Sequence, residues 1–96
     1  MSQVVFLPSS IDDLERLYAF LNEKDPASAR KAALVIIQAM NVLQQHPKIG
    51  RLVEGLPENY RELIIDFGST GYIARYYLEI DDVFILAIRH QKEIDK

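Results

Sequence analysis

The amino-acid sequence predicts an α+β fold, in which a short N-terminal strand and an antiparallel helix hairpin pack on an antiparallel sheet. Three observations support this prediction. Apolar residues recur at helical spacing from residue 11 to residue 43, and from residue 60 to residue 90 they alternate with a period of two. A helix start signal, Asp25-Pro26, divides the helical region into two. Short links between the later β-rich segments favour hairpins.

The N-terminal residues predict a strand and then a helix. Residues 3–7, with the sequence QVVFL, are largely β-branched or aromatic and end at Pro8. Ser9 or Ser10, followed by two aspartates, predicts the N-cap of the first helix, because side-chain oxygens satisfy the free N–H groups of a first turn. The apolar stripe of this helix consists of Ile11, Leu14, Leu17, Tyr18 and Leu21.

Asp25-Pro26 predicts the start of the second helix. Aspartate is a preferred capping residue, and proline suits the first helical position because an N–H group there would have no partner within the helix. Pro47 predicts its end, because the residue before a proline avoids the α conformation. Only a few residues around Lys24 separate the helices, so we expect an antiparallel hairpin. The stripe of the second helix consists of Ala29, Ala33, Ile36, Met40 and Leu43, widened by Ala32 and Ile37.

Three β-rich segments follow a loop at residues 46–59. They span residues 60–65, 72–79 and 83–90 and are joined by FGSTG and IDD, which contain the Gly, Ser and Asp that turns favour. We expect an antiparallel meander with the helix hairpin on one face. A single domain should span residues 1–96, because chains divide into separate cores only at greater lengths.

Composition restricts the classes of protein to which the chain can belong. Hydrophobic residues make up 49% and charged residues 26%, as in a folded soluble domain, and a net charge of -3 is too small for a disordered acidic segment. The acidic balance disfavours strong direct binding to nucleic acid. Without cysteine, a signal peptide or an apolar segment long enough to cross a membrane, the chain is expected in the cytoplasm with no membrane contact.

Few residues offer metal-dependent or nucleophilic chemistry. His46 and His90 are the only histidines, and the sequence has no His-x-x-x-His pair or carboxylate cluster with the spacing of metal ligands, so we expect no metal and no cofactor. Ser69 lies in G-S-T-G, which is more simply a hairpin turn than a nucleophile elbow or a phosphate-binding loop.

Each predicted strand of the meander carries an arginine. If the hairpin registers align the corresponding faces, Arg61, Arg75 and Arg89 gather on the sheet face opposite the helices, joined by Arg51 from the loop. The alternative is that these arginines only form solvated ion pairs with nearby acids, namely Glu62, Asp66, Glu79 and Glu93.

An arginine cluster would suit either of two chemistries. In metal-free RNA cleavage, the arginines would stabilise the charge of the phosphorane, and His90 would act as the acid or base. In recognition, planar guanidinium groups would bind the carboxylates of an acidic protein partner. A single histidine near a strand end is also often only a packed or exposed polar residue, so both chemistries stay open.

Three segments resemble the toxins of the RelE/ParE superfamily: HPKIGRLVEG at 46–55, YRELIIDFGSTGYIARY at 60–76 and VFILAIRHQKE at 83–93. The order of a strand, a helix hairpin and three strands is also similar to that fold, and the resemblance covers nearly the whole chain. It implies the toxin of a bacterial type II toxin-antitoxin system, neutralised in a complex with a cognate ParD-like antitoxin.

The superfamily has two mechanistic branches, and the motifs R-E-L-I, F-G-x-x-G-Y-I-A and A-I-R-H-Q-K-E look like the ParE branch. That resemblance implies a non-enzymatic toxin that inhibits DNA gyrase and thereby replication. Ile73 stands where ribonuclease members often have arginine. The alternatives are a RelE-like ribosome-dependent mRNA endonuclease, with Arg61, Arg75, Arg89 and His90 as catalytic residues, and a degenerate binding module without toxicity.

The last strand changes from the apolar VFILAI to the polar RHQKE, which indicates a recognition surface at its end. In the family, a partly disordered antitoxin tail folds around the toxin, so an acidic, amphipathic segment is the expected partner. The expected target- or antitoxin-binding residues are Arg51, Arg61, Arg75, Arg89, His90, Gln91, Lys92 and Glu93.

Overall fold

The computed structural model describes residues 2–91, which form two helices packed on one face of a five-stranded sheet. This arrangement confirms the predicted α+β fold. The elements in chain order are β1 (Val4–Phe6), α1 (Pro8–Lys24), α2 (Pro26–Gln45), β2 (Arg51–Leu52), β3 (Tyr60–Phe67), β4 (Thr70–Glu79) and β5 (Asp82–His90).

Helix α1 begins at Pro8, before the serines that were predicted to cap it. Leu7 is the N-cap and makes no side-chain capping hydrogen bond, while proline takes a first-turn position that suits its missing N–H group. The two serine hydroxyls bond elsewhere: Ser10 Oγ donates to the carbonyl of Leu7 and Ser9 Oγ to the carbonyl of Leu86, each at 2.7 Å. The predicted N-cap is therefore wrong, and Ser9 instead joins the helix to β5.

The start of α2 is confirmed. Asp25 caps it, because its Oδ1 atom accepts a hydrogen bond from the N–H group of Ala27 at 3.1 Å. The Ser28 hydroxyl donates to Asp25 Oδ2 at 2.8 Å, and this hydrogen bond lowers the pKa of Asp25. Asp25 is the only residue between the helices, so α2 folds back against α1. In the part of the chain that the structure describes, neither helix is both long and apolar enough to cross a membrane.

The strands lie in the order β1-β5-β4-β3-β2. The predicted antiparallel meander of β3, β4 and β5 is confirmed. β1 joins β5 in parallel, with Val4 opposite Val83, so the whole sheet is mixed. β2, which was not predicted, is a two-residue strand that pairs with β3.

A bulge in the last hairpin changes which residues of β5 share a face. Ala87 lies opposite Arg75, but Ile85 lies opposite Tyr76, so Leu86 is the extra residue. Ile85 and Ile88 are consequently both fully buried although they are three positions apart. The core between the helices and the sheet is formed by Leu17, Ala32, Ile36, Met40, Leu43, Ile65, Tyr72, Ala74, Tyr76, Val83, Ile85 and Ile88.

Candidate functional site

The sheet face opposite the helices carries residues of all five strands, and no described element covers it. We call this surface the open face. The register places its side chains in cross-strand rows, because residues paired across neighbouring strands point to the same side. It includes Val5, Arg51, Tyr60, Glu62, Ile64, Asp66, Ile73, Arg75, Tyr77, Phe84, Ala87 and Arg89.

One row of the open face is aromatic. The ring centroids of Tyr60 and Tyr77 are 5.7 Å apart, and those of Tyr77 and Phe84 are 5.1 Å apart with nearly parallel rings. Val5 continues the row on β1, opposite Phe84. All four side chains remain partly accessible to solvent. Tyrosine and arginine are the residue types enriched at the energetic centres of protein interfaces.

The next row contains an ion-pair cluster around Glu62. Arg75 donates to Glu62 Oε2 from Nε at 3.1 Å and from Nη2 at 2.7 Å. Arg51, at the start of β2, donates from Nη2 to Glu62 Oε1 at 3.4 Å. Only 13% of the Glu62 side chain is exposed, against 45% of Arg75 and 57% of Arg51. One carboxylate therefore lies between two largely accessible guanidinium groups.

Arg61 lies on the opposite face of β3, so the predicted gathering of the three strand arginines is wrong for this residue. The two-residue turn between β3 and β4 sets a register in which Glu62, and not Arg61, is opposite Arg75. Arg61 instead pairs with Tyr76 of the core face, and its Nη1 atom donates to the backbone carbonyls of Lys48 at 3.1 Å and Gly50 at 2.9 Å.

Tyr76 holds the same loop as Arg61. Its hydroxyl donates to the carbonyl of Pro47 at 2.8 Å and accepts from the N–H group of Gly50 at 2.9 Å. A Cβ atom on Gly50 would lie 2.5 Å from that hydroxyl oxygen, so only glycine fits here. Burial raises the pKa of Tyr76. These contacts fix the loop before β2, and Arg51, the first residue of β2, lies beside Glu62.

Arg89 is on the open face, opposite Ile73, but its side chain bonds to helix α1. Its Nη1 atom donates to Asp13 Oδ1, while Asp13 Oδ2 accepts from the backbone N–H group of Ile88 at 3.0 Å. Only 12% of the Asp13 side chain is exposed. Asp13 is one of the two aspartates that follow the predicted N-cap, and its contact with β5 was not predicted from the sequence.

His90 and Gln91 lie at the end of β5. His90 faces the helix layer with Tyr72, against whose ring it packs edge to face at 5.5 Å, and its Nε2 atom is 3.1 Å from Thr70 Oγ1. It is therefore on the other side of the sheet from Arg75. Gln91 is the last described residue. Lys92 and Glu93, which were also predicted to bind a partner, lie outside the described residues.

A second candidate surface lies on the helix hairpin. Between α1, α2 and the sheet there is an apolar cavity of about 390 Å³ that opens to solvent, which we call the apolar groove. Two residues from the predicted stripes, Tyr18 and Ile37, line it while remaining 45% and 56% exposed. Its other lining residues include Phe6, Leu14, Leu17, Leu21, Ala29, Ala33 and Met40. The apolar stripe of each helix is thus wider than the part of it that the sheet covers.

Comparison with known proteins gives consistent results over nearly the whole chain. A family model described as the ParE toxin of the type II toxin-antitoxin system parDE matches residues 4–95. Toxin RelE3 of Caulobacter vibrioides is 34% identical over 93 residues, which cover 97% of this chain and 98% of the relative. Toxin RelE2 of the same organism is 31% identical over 90 residues, covering 94% and 96%.

The fold also matches a solved structure. The structure described as the chromosomal ParDE TA system from P. aeruginosa superposes with a TM-score of 0.74 at 21% identity, covering 94% of this chain and 96% of that one. At 21% identity this match supports the fold alone. Membership of the family is supported by the family model and by the Caulobacter relatives. The chain therefore belongs to the ParE toxin family of type II toxin-antitoxin systems, within the RelE/ParE superfamily.

Proposed function

We propose that the chain inhibits DNA gyrase by binding through the open face, and that a cognate ParD-like antitoxin neutralises it. The observation that carries the proposal is the separation of the groups that RNA cleavage would need. An acid or base and the cations that stabilise a phosphorane must surround one phosphate. Here His90 and Arg61 are on the helix side of the sheet and Arg75 is on the open face, while the Arg89 side chain bonds to Asp13 of α1.

The strand arginines are also already engaged. Arg61 donates to loop carbonyls, Arg75 to Glu62 and Arg89 to Asp13. A nuclease site would have to release each of them before it could stabilise a phosphate. A binding surface needs no such release, because paired arginines and neighbouring aromatic rings are ordinary components of a protein interface. The arrangement supports recognition of a protein target in preference to phosphate chemistry.

We assign the antitoxin to the apolar groove. The groove is almost wholly apolar and runs along a helix hairpin, which suits the apolar face of an amphipathic segment. Burying Ile37 and Tyr18 would stabilise the complex by removing their exposed apolar area from water, and this gain must exceed the entropic cost of ordering the segment. The similarity to a ParDE system supports an antitoxin as the partner.

A ribosome-dependent mRNA endonuclease is the second candidate, because the Caulobacter relatives are named RelE toxins. Induction of the chain in growing cells separates the two functions. We expect growth arrest in which DNA synthesis stops first and mRNA remains intact, with relief on co-expression of the antitoxin. Rapid cleavage of mRNA at ribosome-bound sites would favour the second candidate. Unimpaired growth at high expression would favour a degenerate binding module.

A further inference from the structure

Glu62 lies on the open face between the guanidinium groups of Arg75 and Arg51, which are groups of a kind that binds anions. Arg75 approaches its carboxylate with two N–H groups, and Arg51 approaches from the other side. Guanidinium groups bind phosphates in the same forked geometry as carboxylates. An incoming phosphate would therefore compete with an internal carboxylate that is already in place and only slightly exposed.

The row of the open face next to this ion-pair cluster is aromatic. For this reason the competition between a phosphate and the Glu62 carboxylate is important for specificity. Tyr60, Tyr77 and Phe84 form a partly exposed aromatic row directly next to the Glu62–Arg75 pair. A sheet that presents aromatic rings beside arginines is suited to single-stranded nucleic acid, since bases stack on the rings and phosphates bind to the guanidinium groups. Apart from Glu62, this part of the open face has the residue types of such a surface.

We propose that Glu62 is a specificity-determining residue: it keeps Arg51 and Arg75 on an internal carboxylate and so prevents the open face from binding single-stranded nucleic acid. Two effects combine. The carboxylate occupies the Nε and Nη2 donors of Arg75, and its negative charge repels a phosphate that approaches either arginine. The inference goes beyond the proposed gyrase target, because it concerns what the open face rejects and holds whichever protein the face binds.

The Glu62→Gln variant tests the proposal. Glutamine has the shape of glutamate and retains an acceptor oxygen for Arg75, but it lacks the charge. The experiment measures binding of a fluorescently labelled single-stranded RNA oligonucleotide to the purified chain by anisotropy at several salt concentrations. We expect weak binding by the unmodified chain and at least about tenfold tighter binding by Glu62→Gln, with a salt slope steeper by about 0.7 for each arginine that gains a phosphate.

Two controls identify the cause of any gain. Asp66→Asn removes the same charge from an exposed position on the same face of β3, and it should change the affinity by less than about twofold. Adding Arg75→Ala to Glu62→Gln should remove the gain. Glu62→Thr, which is uncharged and favours strands, should reproduce it if Glu62→Gln does not fold.

The proposal is overturned by any of three results. These are unchanged RNA affinity in a folded Glu62 variant, an equal gain in Asp66→Asn, and a gain that persists after Arg75→Ala. Each readout uses RNA and no gyrase, so a failure here is distinguishable from a failure of the proposed target.

Discussion

Asp13 on α1 and Ile88 on β5, 75 residues apart in the chain, are joined by a side-chain hydrogen bond of 3.0 Å that replaces a missing strand partner. β1 pairs with β5 only from Val83 to Ile85, so within residues 2–91 no strand lies beside the same edge of β5 at Ile88. The Asp13 carboxylate accepts the backbone N–H group there and also pairs with Arg89. A helix side chain therefore helps to hold the end of the last strand, together with the pairing of β5 with β4.

Asp13→Ala should lower the free energy of unfolding by about 1–3 kcal/mol, because it leaves the buried N–H group of Ile88 without a partner. Asp13→Asn should lose less, since its amide oxygen can still accept that hydrogen bond. Urea unfolding measures both. Asp12→Ala, at the exposed neighbouring position, is the matched control. Equal losses at the two positions would show that the bond contributes nothing to stability.

Tyr76→Phe should make the chain less stable at neutral pH and also change how its stability depends on alkaline pH. Burial raises the pKa of Tyr76 above its ordinary value of 10.0, while its bond from Gly50 and nearby Arg61 act in the opposite direction. The unfolded chain then loses this proton at a lower pH than the folded chain. The stability that comes from this difference in pKa is fully present below pH 10.0, and it is lost as the pH rises through the pKa of Tyr76 in the folded chain.

Urea unfolding across this alkaline range measures the effect. We expect a fall in stability above pH 10.0 that is smaller in Tyr76→Phe than in the unmodified chain. At neutral pH the variant should be less stable by about 1–3 kcal/mol, because the backbone groups of Gly50 and Pro47 lose their bonds to the hydroxyl. Tyr18→Phe, at an exposed tyrosine, is the control. If stability fell equally steeply with alkaline pH in Tyr76→Phe and in the unmodified chain, the raised pKa of Tyr76 would be contradicted.

Ile80→Gly should stabilise the chain. Ile80 is in the turn between β4 and β5 with a φ of 58°, a conformation that is unfavourable for a β-branched residue, and it is 95% exposed. Relief of the backbone strain should therefore exceed the entropic cost of glycine, with a net gain of about 1 kcal/mol. Thermal unfolding measures the gain. Ile80→Ala retains a Cβ atom and should gain much less; equal gains would exclude the backbone explanation.

Ile37→Glu should weaken antitoxin binding at least about tenfold, because it places a charge in the apolar groove at a residue that is 56% exposed in the free chain. The fold should be retained, since the side chain is not part of the buried core. Titration calorimetry with the cognate antitoxin measures the affinity. Gln38→Glu introduces the same charge at a neighbouring exposed position outside the groove. Unaltered affinity in Ile37→Glu would place the antitoxin elsewhere.

Local signals in the sequence predicted the elements well, but they could not determine the pairings between them. Asp25-Pro26 predicted the start of α2 because a cap and the first turn involve only neighbouring residues. Arg61 and Arg75 could not be placed by alternation alone, since the two-residue turn sets the register and a shift of one residue reverses every face.

The bulge in β5 and the contact of Asp13 with Ile88 could not be predicted from local signals either. Alternation groups Ile85 with Ala87, but the extra residue Leu86 brings Ile85 and Ile88 to the same face. Nothing near Asp13 in the sequence indicates that it will bond to a strand at the other end of the chain. Residues with long-range partners therefore needed the structure, and Glu62 is among them because its role depends on Arg51 and Arg75 together.

Plasmid supercoiling by purified DNA gyrase, with increasing amounts of the antitoxin-free chain, tests most directly whether the open face inhibits gyrase. Inhibition through the open face predicts loss of supercoiling with accumulation of linear DNA, and inhibition that is at least about tenfold weaker for Arg75→Ala than for Arg30→Ala, a control on an exposed position of α2. Supercoiling that is unaffected by the folded chain, or equal inhibition by the two variants, would contradict it.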